Sequence, residues 1–223
     1  MRLEDLIAQF RADVVDVAEP PFWSSEQVTA WLNEAVQEAC ERAQLIEDRH
    51  TDSVCRVVVV PDQDTYELHS SLLSIKRLTL AGKVLTETSV EELDRTMPGW
   101  EARKGVPRFY IYEAPQGLMR PKLRLVPTPG IAAAVHMTVY RGALKPLIAD
   151  LDSAEPEVPR HLHLRLLEWV KLRAYMVPDA DSFDPGRART HEALFIAAFG
   201  QRPDANVARK THDRRPPLIR SSW

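Results

Sequence analysis

Residues 23–46 read WSSEQVTAWLNEAVQEACERAQLI. Ser24 is placed to cap a helix, and Gln27 three residues on completes a capping box. Trp23 and Val28 then occupy the positions of a hydrophobic staple. Val28, Trp31, Leu32, Ala35, Val36, Ala39, Ala43 and Ile46 recur at helical spacing, whereas Glu34, Gln37, Glu38 and Glu41 fall off that stripe. The pattern predicts a helix from Ser25 to about Ile46. Trp23 would set its entry and Trp31 would fill the core, a structural role for both.

Leu3, Leu6, Ile7, Phe10 and Val14 predict a shorter amphipathic helix before it, stopped by Glu19-Pro20-Pro21 because proline cannot continue a helix. After residue 52 the period changes. Val54–Val60, Tyr66–Leu68, Ile75–Leu80, Val84–Thr86, Phe109–Glu113, Lys122–Val126 and Val135–Tyr140 read as short strands. Ala81-Gly82 is a tight turn and Ser89–Arg95 one or two helical turns. No long helix separates these strands, so they should pair mainly antiparallel. Helices return at residues 160–176, RHLHLRLLEWVKLRAYM, where Leu162, Leu166, Trp169 and Val170 form a stripe that Leu164 and Leu167 widen. Asp184-Pro185 starts a last helix through Ala188, His191, Phe195, Ala198 and Phe199, with Gly200 as a left-handed stop.

This order predicts an α+β fold. N- and C-terminal helices (residues 1–52 and 143–201) would form a bundle with a mainly antiparallel β-rich insertion (53–142). An extended basic tail (202–223) would follow. The chain has 223 residues and a net charge of −3. Residues 202–223 carry +4, which leaves −7 on residues 1–201. An acidic body excludes a general polyanion binder, and a basic end suggests an interaction tail. Two cysteines, Cys40 and Cys55, do not make a disulfide framework and fit a reducing compartment. No apolar run approaches the ~20 residues of a membrane span, so no membrane partner is expected.

Candidate chemistry is thin. His161 and His163 lie two apart, which on a helix points them in different directions, so they and His191 do not suggest a metal centre. Asp179, Asp181 and Asp184 hint at a calcium loop, but no glutamate stands at the twelfth position, and a capped helix connection explains them better. No phosphate loop or nucleophile motif occurs, and no catalytic residue or cofactor is expected. The suggestive segment is the tail. Arg209, Lys210, Arg214 and Arg215 could contact phosphates, or Pro216, Pro217, Leu218, Ile219 and Trp223 could dock extended on a partner. A terminal tryptophan beside Leu-Ile favours docking, since an aromatic anchor gains only when buried.

Residues 22–46, GVPRFYIYE (105–113), KLRLVPTP (122–129) and residues 156–200 together resemble the head-to-tail adaptor (connector) proteins of tailed bacteriophages. The resemblance implies a structural virion protein rather than an enzyme. Twelve copies would form a ring under the portal, extend the DNA channel and receive tail or nozzle proteins. Genomic DNA would pass through without sequence-specific binding. It also implies assembly in the host cytoplasm and residence in the virion neck, with the tail segment docking on the portal. The alternative is a nucleic-acid-binding module acting through its basic tail.

Overall fold

The computed structural model describes residues 1–16, 18–115, 119–149, 154–179 and 182–203. The fold is α+β. Its helices are α1 (Leu3–Val14), α2 (Ser25–Ala43), α3 (Asp52–Cys55), α4 (Val90–Thr96), α5 (His163–Tyr175) and α6 (Pro185–Phe199). Its strands are β1 (Ile46–Asp48), β2 (Arg56–Val59), β3 (Thr65–Glu67), β4 (Leu72–Leu80), β5 (Lys83–Val84) and β6 (Thr86–Glu87). They continue with β7 (Lys104–Gly105), β8 (Phe109–Glu113), β9 (Lys122–Val126), β10 (Thr128–Pro129) and β11 (Ala133–Arg141). The chain divides into two compact units, Met1–Ile46 with Arg141–Arg202, and Glu47–Tyr140.

In the first unit α5 packs against α1, α2 and α6. The stripes read from sequence supply the contact faces: Leu3, Leu6, Ile7 and Phe10 from α1, and Val28, Trp31, Leu32, Ala35, Val36 and Ala39 from α2, are all buried. Ser24 Oγ accepts the Gln27 N–H at 3.2 Å, as an N-cap should. Trp23 is buried edge-on against Phe10, ring centroids 5.6 Å apart, so it ties the start of α2 to α1. Asp16 holds this junction by accepting the N–H groups of Phe22 (2.8 Å) and Trp23 (3.3 Å). Asn33 of α2 exchanges two hydrogen bonds with the Leu147 backbone (2.9 and 2.8 Å), which seats the segment after β11 on the same helix.

The second unit is built from sheets paired mainly antiparallel. A five-stranded sheet runs β1-β11-β4-β5, with β2 also on β11 in the register Val59 to Ala133. A four-stranded sheet runs β3-β9-β8-β6. Here β8 and β9 pair antiparallel from Phe109–Val126 to Glu113–Lys122, while β6 joins β8 parallel. Beneath it Leu93, Trp100, Ile111 and Val126 form a small core with Met97 and Phe109 against it. The Trp100 indole donates to Asp94 at 2.8 Å, and the Arg124 guanidinium lies 4.6 Å from its ring centroid.

Several expectations need correction. Eleven strands are formed among the described residues, not six or seven. Val54 and Cys55 are helical, because the Asp48 carboxylate accepts the N–H groups of His50 (2.9 Å) and Thr51 (3.1 Å) and the Thr51 hydroxyl (2.7 Å), turning the chain into α3. The Val84–Thr86 strand splits into β5 and β6 in different sheets. Helix α2 stops at Ala43 with Gln44 left-handed (φ 50°), which frees Ile46 for β1. Leu164 is 49% exposed rather than part of the buried face of α5. Gly200 has positive φ (86°) but an extended ψ (173°), so it ends α6 without a left-handed turn. The Ala81-Gly82 turn is present, with both residues at positive φ (48° and 78°).

Trp100 carries the small β-unit core, so Trp100→Ala should destabilise the protein by about 3–5 kcal/mol. Urea unfolding read by circular dichroism measures it.

Candidate functional site

The tail residues singled out from sequence, Arg209, Lys210, Arg214, Arg215, Pro216, Pro217, Leu218, Ile219 and Trp223, lie outside the described residues. What the structure describes is the helix end from which they follow. Helix α6 is capped at its start by Asp184, whose Oδ1 accepts the Gly186 and Arg187 N–H groups at 3.0 Å each. At its other end Phe195 and Phe199 are buried, with ring centroids 4.6 Å apart. Trp169 of α5 lies 5.1 Å from Phe195.

Arg42, in the last turn of α2, enters this aromatic group. Its guanidinium carbon lies 5.0 Å from the Phe195 ring centroid and 5.4 Å from that of Trp169. Nε and Nη2 donate to Glu38 Oε2 at 3.1 and 3.0 Å, and Nη1 donates to the Gly200 carbonyl at 3.4 Å. The Arg42 side chain is only 8% exposed and that of Glu38 14%. A charge so far out of water is tolerated because a carboxylate, a helix-end carbonyl and two π faces replace its hydration. The other Glu38 oxygen and Glu41 each take Arg202 at 3.4 Å. Glu38 and Arg42 thus hold both the last turn of α6 and the first residues after it.

A model of the SU10 adaptor protein family matches residues 1–220. The chain belongs to the SU10 adaptor protein family. It is a family of phage head-to-tail adaptors, structural proteins by role. No curated protein matches the chain.

The remaining polar groups of this adaptor fit packing. The three histidines diverge. His163 is fully buried, with Nε2 2.9 Å from the Val158 carbonyl and Nδ1 3.0 Å from the Met1 nitrogen. His191 Nδ1 meets Glu168 at 2.7 Å, and His161 is exposed. Among the described residues no group of three potential ligands could hold a metal ion. Asp184 is spent on its cap, and Asp181 lies outside the described residues. Cys40 and Cys55 are buried free thiols, and burial pushes Cys40 up to about 11, which makes it inert near neutral pH. No helix among the described residues is long and apolar enough to cross a membrane.

A second polar chain joins α1, α5 and α6. Lys171 Nζ bridges Asp13 (2.7 Å) and Glu168 (3.3 Å), Glu168 holds His191, and the His191 ring stacks on Tyr175. Burial works to raise the Asp13 carboxyl, but hydrogen bonds from Lys171 and Gln9 outweigh it and hold the group below the usual aspartate range. Burial likewise works to lower Lys171, and Asp13 and Glu168 more than offset it, so its ammonium is raised.

Sequence reading missed both clusters. Glu38 and Arg42 stand four apart on α2, a spacing that signals a pair but not its burial. Glu168, Lys171 and His191 carried no signal that they meet Asp13, a contact made only by tertiary packing.

Two predictions follow from these clusters. Arg42→Ala strands Glu38 and opens the α6 end, so it should cost about 3–5 kcal/mol in urea unfolding. Asp13 has a depressed folded pKa, so its contribution is present above the unfolded value near ~3.9 and is lost as pH falls through the lower folded value. The stability gap between wild type and Asp13→Asn should therefore be full at neutral pH and close progressively below pH ~4. Urea midpoints across a pH series read the gap.

Proposed function

We propose that this protein forms a ring, twelve copies by the family resemblance, beneath the portal of a tailed phage, extends the DNA channel there and presents its lower face to tail or nozzle proteins. The helices of the first unit form the bundle of the ring subunit, and the β-rich unit is its insertion. The segment beyond Arg202 docks on the portal through Arg209, Lys210, Arg214 and Arg215 as charges and through Pro216, Pro217, Leu218, Ile219 and Trp223 as an extended apolar anchor. The protein resides in the virion neck after assembly in the host cytoplasm.

The observation that carries this reading is the family match over residues 1–220, which includes all of the proposed docking residues except Trp223. The Glu38–Arg42–Arg202 cluster supports it, because a docking tail needs a rigid root. The acidic balance of residues 1–201, −7 against a whole-chain −3, supports passage of DNA rather than its capture.

Electron microscopy of the protein mixed with its portal tests the reading. A twelve-fold ring stacked coaxially on the portal is expected, and protein indifferent to the portal would contradict it. Removing residues 204–223 spares Arg202 and the helix end, so the truncated chain should keep its melting temperature but lose portal attachment. Trp223→Ala alone should weaken attachment roughly 30-fold, as expected for an aromatic anchor worth about 2 kcal/mol. A truncated protein that still decorates portals would overturn the docking role. Steeply salt-dependent affinity of the tail for free DNA would favour the nucleic-acid alternative.

A further inference from the structure

A groove of about 1480 Å³ opens in the Glu47–Tyr140 unit, lined by α4 and by the short strands β5, β6 and β7. Residues 47–140 hold twelve basic and twelve acidic residues, so the unit is neutral. The groove is not. Five basic and two acidic residues line it, a local excess of +3. Among the described residues Lys83 and Arg108 are exposed and make no ion pair or side-chain hydrogen bond, and the Arg103 guanidinium donates only to the Pro98 carbonyl, at 3.2 Å. Apolar side chains stand between these charges. Val84 is 58% and Val106 62% exposed, and Phe109 joins them in the lining.

This mixture fits a protein partner better than a nucleic acid. Phosphates would use the charges but leave the valines in water, whereas protein interfaces combine an apolar centre with a polar rim. The chain itself carries the complement. Residues 1–46 contain three basic and nine acidic residues, a net −6, and of the two acids in the α1–α2 connection Asp16 is buried on the Phe22 and Trp23 N–H groups, which leaves Glu19 to meet a partner. The connection between α1 and α2 exposes Glu19 beside Phe22, which is 47% exposed, and Val15, which is 73% exposed.

We propose that the basic groove of one copy receives the acidic α1–α2 connection of a second copy, with Glu19 meeting Lys83 and Arg108 and Phe22 covering Val84 and Val106. The two surfaces are different patches of the chain, so the contact is heterologous and repeats from copy to copy, the kind of contact that generates rings. The inference deepens the ring reading by naming a subunit contact. Its test uses no portal, so its failure is separable from failure of portal docking.

The test is sedimentation velocity of the full chain up to ~100 µM at low salt, where charge pairing between exposed groups is least screened. Wild type should self-associate with rising concentration. Lys83→Glu with Arg108→Glu should weaken association at least ~10-fold, Glu19→Lys should do the same, and the three together should restore it to within ~3-fold. Circular dichroism confirms that each variant is folded. Wild type that stays monomeric throughout, charge reversals without effect, or a combination that fails to rescue would overturn the proposal. A groove variant that associates normally but loses affinity for a DNA duplex would overturn it in favour of nucleic acid.

Discussion

The organisation of the first unit depends on a guanidinium taken out of water. Arg42 is offered Glu38, the Gly200 carbonyl, and the faces of Trp169 and Phe195 in place of hydration. The replacements come from three helices: α2 itself through Glu38, α5 through Trp169, and α6 through Phe195 and the Gly200 carbonyl at its end. A buried ion pair is weak support for stability in general, but breaking one is costly because the surviving charge has no water to return to. The pair therefore acts as a registration device. Helix α6 can end in only one place relative to α2, and the chain leaves α6 from a defined point.

The same logic separates the two polar clusters of the helices by task. Asp13, Lys171, Glu168 and His191 join α1, α5 and α6. The Glu38–Arg42 cluster sits at the end of α6 and recruits Arg202 from beyond it. The first cluster resists sliding of helices that are otherwise held by apolar stripes. The second fixes Arg202 against the end of α2. The β unit is organised differently, around an indole clamped by Asp94 and covered by Arg124, with short strands that leave a charged groove at their edge.

The helical frame was legible because its signals are local. Ser24 and Asp184 are caps that perform as their residue types require, and the stripes on α1 and α2 are the faces that pack. Strands β8 and β9 were legible with their full bounds. What was not legible was decided at a distance or by a side chain acting on backbone. Asp48 turns Val54 and Cys55 into a helix against their β-branched context. Residues 84–86 serve two sheets, which no periodicity can announce. Trp23 was legible as a buried structural residue, but its ring partner Phe10 on α1 was not, because no local signal announces a contact between two helices. Of the candidate site, the tail was visible as composition, whereas its root was hidden in an ordinary helical spacing of Glu38 and Arg42.

A family of head-to-tail adaptors places its members at one location in a particle, and that location can be seen directly. Cryo-electron microscopy of the purified virion, focused on the neck, is the most direct measurement. The proposed role predicts density for both units in a collar immediately below the portal, and the proposed docking predicts residues 204–223 on the portal surface. A virion whose collar is built by other chains, with this protein absent or located elsewhere in the particle, would contradict it.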